Sequence, residues 1–456
     1  MKKVILYIIL LLFALPAYCD YRVTGGSKEP YPAEEGNNIR VYLLDGLTSG
    51  QITFTSKDIP SHRHQWYKYR TRATEAVPVT STIIDSESSA VTGIEDGYAY
   101  FVGEINSSKT RYVWIIDYSK YKPIIHSLNF SEEIIEDEDK ENLSGKCLSI
   151  RLIIDMEAEK LTYRTPDGIR KELLRKFHLE YNDLVWKDNL FVTGKKEQAC
   201  NGPLSEIILP DAPLMNTSFT LRGDDFAEYF DYRQNQTTGE YEAKTFEVHT
   251  FAYLKDKDGT ENEYTPENNP LPGSNAPVSV RFEAYSNDIQ GTMYLWKIFK
   301  INPATGERET SESFRYTTPV CEPEFTQSGT YEVELELGST FLSSSCRYKS
   351  DPYEFLIFIE ESMLELPNAF SPGSSVGDND IYKVKHKSLI SFKASIFNRW
   401  GNLLYRWNDP DQGWDGKVSG KYVPTGVYFI VVEARGADGK TYKINGDINI
   451  LRARNK

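Results

Sequence analysis

Gly426-Val427-Tyr428-Phe429-Ile430-Val431-Val432-Glu433-Ala434, then Ala437-Asp438-Gly439-Lys440, then a final run ending at Leu451, read as a β-hairpin. The first run is rich in β-branched and aromatic residues, which suit a pleated strand. Asp-Gly between two such runs is a strong hairpin signal. The same grammar holds upstream. Residues 391–397 alternate, Asn398-Arg399-Trp400-Gly401-Asn402 turns the chain, and 403–407 returns. Trp414-Asp415-Gly416 is a tight turn whose ring can close one end of a core, and Gly426 permits a corner. Residues 363–456 therefore read as a small all-β sandwich.

The rest of the chain follows suit. Segments 39–44, 98–102, 111–116, 278–284, 331–337 and 353–359 alternate over short spans between Gly, Pro, Asn and Asp. Thirty Tyr against five Met also lean toward strands. The expected fold class is all-β, a series of sandwiches. The best helix candidate is 169–178 (IRKELLRKFH), but Thr165-Pro166-Asp167-Gly168 before it also reads as a hairpin turn. Composition marks the boundaries. The acidic run 131–141 (SEEIIEDEDKE) reads as a connector or loop, and 262–277, with four Pro and four Asn, as a linker. At 360–365 the character of the sequence changes. The expected division is 1–19, 20–130, 131–274, 275–362 and 363–456.

At 456 residues the chain is too long for one compact domain. With 40% hydrophobic residues it has enough apolar material for packed cores, which excludes general disorder. A net charge of −14 argues against a dedicated DNA binder. Met1-Lys2-Lys3, twelve apolar residues over 4–15 and Pro16-Ala17-Tyr18-Cys19 have the layout of a secretory signal peptide. Ala17 and Cys19 stand at −3 and −1 of a cut before Asp20. The rival, acylation of Cys19, needs a small residue where bulky Tyr18 stands. Export makes disulfides possible among Cys147, Cys200, Cys321 and Cys346. Of three connectivities, nearest-neighbour pairing is preferred because it keeps each bridge within one domain. No short C-x-x-C spacing points to zinc.

Candidate chemistry is sparse. There is no Gly-x-Ser-x-Gly elbow, no His-Glu-x-x-His and no phosphate loop. His62 and His64 stand two apart, as strand-borne metal ligands would, but no third ligand is evident. Tyr67, Tyr69, Tyr112, Tyr118 and Tyr121 could form a glycan platform, with cross-strand packing as the plainer reading. Residues 363–456 carry 14 Lys+Arg against 9 Asp+Glu, a net +5 on an otherwise acidic chain. Lys383, Lys385 and Lys387, joined by Lys421, Lys440, Lys443, Arg452 and Arg454, suggest an electrostatic docking face. A scattered solvated surface is the alternative.

Three resemblances add to this. The first segment has an immunoglobulin-like rhythm, with Trp66 mid-strand and 95–100 (EDGYAY) as a turn into a later strand. Residues 275–362 resemble the PKD domains of bacterial surface proteins, through Tyr294-Leu295-Trp296 and Gly329-Thr330-Tyr331-Glu332-Val333. They depart from that family at Ile301-Asn302-Pro303-Ala304-Thr305-Gly306. Residues 131–274 resemble no family. The last domain carries ordered blocks: Leu366-Pro367-Asn368-Ala369-Phe370-Ser371-Pro372, Asp378-Asn379-Asp380-Ile381-Tyr382, Ile396-Phe397-Asn398-Arg399-Trp400-Gly401, Gly413-Trp414-Asp415-Gly416, Val423-Pro424-Thr425-Gly426-Val427-Tyr428-Phe429, Asp438-Gly439-Lys440-Thr441-Tyr442 and Gly446-Asp447-Ile448-Asn449-Ile450-Leu451-Arg452. It resembles the gliding-motility-associated C-terminal domain, the type B sorting domain of the Bacteroidota type IX secretion system. At its family's Asn-Gly-Asp-Gly loop it has Gly373-Ser374-Ser375-Val376-Gly377, so only Asp378 and Asp380 supply carboxylates. A Ca²⁺ loop needs six or more oxygens, and a plain polar loop is expected.

The resemblance implies an address: entry to the periplasm, then passage of the outer membrane through the translocon with a PorP/SprF-like partner. The expectation is an exported, non-enzymatic surface protein without cofactors, serving adhesion, surface architecture or the secretion and gliding machinery. The alternatives are a secreted glycan-binding or glycan-degrading protein, and a fixed accessory subunit of an outer-membrane complex.

Overall fold

The computed structural model describes residues 20–36, 38–103, 110–135, 145–255, 259–264, 274–287, 289, 291–339, 346–351, 354–373 and 379–451. The expected signal peptide, the acidic run beyond residue 135, most of the 262–277 linker, Asp378, Arg452 and Arg454 lie outside them. The fold is all-β in serial sandwiches.

The first sandwich pairs a four-stranded sheet with a six-stranded one. Tyr21, Ile52, Phe54, Trp66, Val113 and Ile115 fill the space between them. Strand Tyr112–Asp117 sits inside the six-stranded sheet, parallel to Ile39–Leu44. All six of its residues are buried. Val113 and Ile115 face the inner core. Tyr112, Trp114 and Ile116 point the other way, into a second core shared with Leu161, Tyr163, Leu173, Phe226 and Phe230. That face is dry because the next sandwich covers it. Burying a large apolar side chain contributes about 1.5–3 kcal/mol, so the shared core is a strong bond between the two sandwiches.

The second sandwich has a three-stranded sheet (Ile124–Ile134, Leu148–Glu157, Glu206–Leu209) and a four-stranded one built on the hairpin Arg175–Lys187 and Leu190–Gly202. Strand Ile124–Ile134 runs across the boundary expected at 130. The helix expected at 169–178 does not form. Residues Arg170–Leu173 and Arg175–Lys187 are strands, and the turn at 165–168 closes a hairpin with Leu161–Arg164. Thr165 N donates to Ile169 O at 3.0 Å, and Gly168 takes φ +93°, which favours glycine. Leu173, Phe177 and Leu179 are even-spaced and all buried, as strand alternation requires. Ile169 and Leu174, which a helical face would need, stay 56% and 60% exposed.

The third sandwich also crosses an expected boundary. Strands Val248–Lys255 and Glu261–Tyr264 share a sheet with Val278–Ser286, on the far side of residue 274. The facing sheet is built on Thr292–Ile301 and Gly329–Ser339. Trp296 is 1% exposed, and the Tyr331 hydroxyl donates to Gln327 O at 3.0 Å. That bond pins the corner as the Gly-x-Tyr turn suggested.

Each junction has its own polar lock. Between the first two sandwiches, Arg175 and Asp224 form an ion pair 1% and 0% exposed. Arg175 also donates to Glu159 O at 2.7 Å and to Tyr121 O at 2.9 Å. Asp224 accepts from the Tyr118 hydroxyl and from Ala227 N, both at 2.7 Å, and the second bond caps helix Asp225–Tyr229. Between the second and third sandwiches, Cys147 and Cys346 form a disulfide with Cα atoms 5.4 Å apart. This corrects the nearest-neighbour pairing: Cys200 and Cys321 are buried free thiols. Docking of the two sandwiches brings residues 199 apart together, which sequence spacing could not reveal. The long hairpin reinforces the lock. Trp186 near its tip stacks on His249 of the third sandwich, rings 4.2 Å apart and 8° from parallel.

Two predictions follow from these locks. Asp224→Ala leaves Arg175 buried without its partner and is expected to cost about 3–5 kcal/mol, seen as an earlier unfolding transition in a denaturant titration. Alkylation of the unreduced chain from Asp20 onward, without Cys19, should label two thiols in denaturant, Cys200 and Cys321, and neither in the folded state. Nearest-neighbour disulfides would leave no thiol to label after unfolding.

Candidate functional site

The C-terminal domain is one five-stranded sheet, ordered Ala369–Phe370, Thr441–Ile450, Gly426–Gly436, Leu389–Phe397 and Leu403–Trp407, with two two-stranded sheets beside it. Its inner face carries Ile396, Trp407, Ile430, Val432 and Ile448. Most signature residues build this frame. Trp414 is fully buried against Phe370 and Tyr428, and its indole donates to Lys417 O at 3.0 Å. Pro367 O accepts from the Tyr382 hydroxyl at 2.7 Å, and Asn368 O from Asn449 N at 2.8 Å. Pro424 O accepts from the Tyr428 hydroxyl at 2.9 Å, a second tyrosine-pinned corner, just before Gly426. A Cβ on Gly416 would stand 2.8 Å from Cγ of Pro372, so the Trp-Asp-Gly turn needs its glycine. Asp415, Asn398 and Asp380 accept from the backbone amides of Lys417, Trp400 and Gly373. Arg399 lies over the Trp400 ring at 4.3 Å, beside Gly401 at φ +81°. Trp400 itself is 70% exposed.

Asp438-Gly439 does more than turn the chain. Asp438 Oδ1 accepts from the Ser362 hydroxyl at 2.6 Å, and Oδ2 from Ser362 N at 3.3 Å. Ser362 is the last residue before the domain's first strand, Met363–Glu365. The Tyr442 hydroxyl donates to Ser362 O at 3.0 Å. A Cβ on Gly436 would fall 2.0 Å from Ser362 Oγ, so only glycine allows this approach. Ala437 joins the buried core of the third sandwich, and its carbonyl accepts from Ser328 N at 3.1 Å. The hairpin turn is thus also the clamp that seats the domain on the body. Sequence reading missed the second role because nothing local to 436–442 points to Ser362.

Three of the basic residues, 45–71% exposed, are paired with carboxylates of the same chain. Lys387 pairs with Glu360, Lys440 with Glu361 and Asp438, and Lys385 with Glu365. Lys387 and Lys440, through Glu360, Glu361 and Asp438, thus belong to the clamp rather than to a free docking face. Lys383, Lys421 and Lys443 are exposed.

Elsewhere the candidates resolve into structure. His64 is buried in a turn before strand Trp66–Tyr69. Its Nδ1 meets Ser89 Oγ at 2.8 Å and its Nε2 donates to Ile59 O at 2.9 Å, so both nitrogens are engaged. Among the described residues no three His, Cys, Asp or Glu are grouped to hold a metal ion. Tyr69, Tyr112 and Tyr118 are core residues, 2% exposed or less, as the plainer packing reading has it, and they form no glycan platform. A cleft of about 440 Å³ in the second sandwich is lined by charges. Arg222 there meets Glu180, Glu228 and Glu197 at 2.6, 2.8 and 3.0 Å, and Lys195 meets Glu180 at 2.8 Å, so each of these carboxylates has a cationic partner. Among the described residues no helix is long and apolar enough to cross a membrane.

Two families match parts of the chain. Residues 364–450 match the type IX secretion signal domain. Residues 139–238 match the fibronectin type III domain, in the segment where sequence reading named no family. No curated protein matches the chain. Among solved structures, it is similar to a tetra-tandem repeat from the extending region of a large adhesion protein (10% identity, 91% of this chain, 100% of that one, TM-score 0.20). It is also similar to the Ca²⁺-stabilised, ice-binding adhesin of an Antarctic bacterium (10%, 91% and 96%, TM-score 0.18). A third is the native conformation of E. coli alpha-2-macroglobulin (8%, 96% and 30%, TM-score 0.16). Scores this low carry no argument about what this chain does. The C-terminal domain is a type IX secretion signal domain, and it marks the chain for export to the cell surface or the extracellular space.

The clamp has a pH signature. Burial raises the Asp438 pKa, but hydrogen bonds from Lys440 and Ser362 outweigh it and hold the carboxyl at about 2, against an ordinary 3.8. A depressed carboxyl stabilises the folded form above its unfolded pKa, and that contribution is lost as pH falls through the folded value. Protease cutting near residue 362 should therefore stay constant from pH 7 to about 4 and rise between about 4 and 2. Asp438→Asn should show the weakened clamp already at neutral pH.

Proposed function

We propose that this chain is a non-enzymatic protein of the bacterial cell surface, with an adhesive or structural body delivered by its C-terminal domain. The supporting observation is the secretion signal match at 364–450, on a domain clamped to a body whose sandwiches are locked to one another. A body of covered sheets and internally paired charges suits holding or spacing better than chemistry. We take it as four modules, the second beginning at strand Ile124–Ile134, the third at Val248–Lys255 and the last at Met363–Glu365.

In this reading the buried signature residues, Trp414, Phe370 and Tyr428 foremost, make the sorting domain fold. The type IX machinery, with a PorP/SprF-like outer-membrane protein as the proposed partner, recognises the folded surface. Truncation before Met363 in the producing cell tests it. The body is expected to accumulate in the periplasm, measured by fractionation and by surface protease accessibility. A truncated body that still reaches the surface would falsify the sorting role.

A further inference from the structure

The outer face of the C-terminal sheet carries a feature that folding does not explain. On strand Gly426–Gly436, Tyr428, Ile430, Val432 and Ala434 point into the core. The alternate residues Val427, Phe429 and Val431 point out, and they are 48%, 44% and 42% exposed. Phe429 lies opposite Phe397 on the neighbouring strand, and Phe397 opposite Leu403, which is 47% exposed. The turn joining those two residues holds the exposed Trp400. The apolar stripe therefore continues across three adjacent strands. Contiguous exposed apolar surface of this kind marks interaction sites.

The chain itself shows what a strand apolar on both faces is for. Tyr112–Asp117 has the same two-faced character, and there the second sandwich covers the outward face. Strand Gly426–Gly436 has no such cover among the described residues. Its surroundings indicate the cover. Next along the sheet, Lys393 and Lys443 flank Glu433 in one cross-strand row, with exposed Arg435 beyond and exposed Arg406 opposite Ser395. The border on that side is mainly cationic. Asp447 lies opposite Phe429 on the other flank. Asn449 Nδ2 donates to its carboxylate at 3.4 Å; a hydrocarbon or anionic lipid surface would offer it no further donor, whereas a protein can.

We propose that this outward face, centred on Phe429 and Val431, is the surface by which a protein of the export machinery recognises the sorting domain. The partner's matching patch is apolar at its centre and acidic beside it. This rests on the sorting role proposed above. It moves recognition from the buried signature residues to outward-facing ones, of which Phe397, Trp400, Val427 and Phe429 stand within the signature blocks and Leu403 and Val431 outside them.

The test is Phe429→Thr with Val431→Thr in the full chain. Threonine keeps the β-branched preference for strands, and the sites face outward, so thermal unfolding of the purified variant should be unchanged. Surface delivery should fall about tenfold or more, with folded protein held in the periplasm. Lys393→Glu with Lys443→Glu should lower delivery in the same direction. If truncation before Met363 blocks export while the double threonine variant is delivered normally, this surface is overturned and the sorting role stands. If truncation does not block export, both fail. Two further results would also overturn a protein partner from the machinery. One is binding of the purified chain to phosphatidylethanolamine–phosphatidylglycerol vesicles that the double threonine variant loses. The other is a concentration-dependent dimer abolished by the same variant.

Discussion

Asp224 has no solvent at all, and three elements from two sandwiches meet at its carboxylate. Arg175 comes from a strand of the second sandwich, Tyr118 from a turn at the end of the first, and Ala227 from the helix that Asp224 caps. A buried ion pair is not by itself a source of stability, because stripping water from two charges costs several kcal/mol. It becomes tolerable only when the hydrogen-bonding capacity around it is filled. Here the guanidinium reaches two carbonyls as well as the carboxylate. Burial and the neighbouring Asp224 keep the Tyr118 phenol protonated, so it acts as the donor. The pair is satisfied only when the sandwiches sit in this one arrangement, and the shared core around Trp114, Tyr163 and Phe226 depends on the same arrangement.

The other junctions follow the same logic with different chemistry. A covalent bridge and a stacked Trp186–His249 pair join the second and third sandwiches. A carboxylate–hydroxyl–phenol cluster around Ser362 joins the third to the secretion signal domain. Hydrophobic cover supplies the bulk of the adhesion, and the directional groups select one orientation. Export of this chain thus concerns an object whose modules have fixed neighbours.

Local features were legible in the sequence. Trp66, Trp296 and Trp414 are each buried where the strand rhythm put them, and the Tyr331 and Tyr428 corners close through short-range bonds to residues four positions back. The secretion signal was legible because its blocks are framework residues in fixed order. What failed was whatever depends on a neighbouring module. Segment 169–178 spaces its apolar residues in a way that suits strand and helix alike, and the turn before it decided the matter. Packing was the plainer reading of Tyr69, Tyr112 and Tyr118, but nothing local announces that a second sandwich lies over Tyr112 and Tyr118. The partners of Lys387 and Lys440 stayed hidden because Glu360 and Glu361 sit on the connecting segment.

The bridge between Cys147 and Cys346 also has a history written into its spacing. On a chain that enters the oxidising compartment N-terminus first, Cys147 arrives 199 residues ahead of its true partner. Cys200 appears much sooner and is the nearer temptation. It lies on a hairpin strand opposite Phe177, and closure of the second sandwich buries it. Burial also raises its pKa, so little thiolate remains to react. Closure of the second sandwich removes the competitor, and the covalent bond needs the third docked against it. The oxidised chain carries a chemical record that the two sandwiches have met.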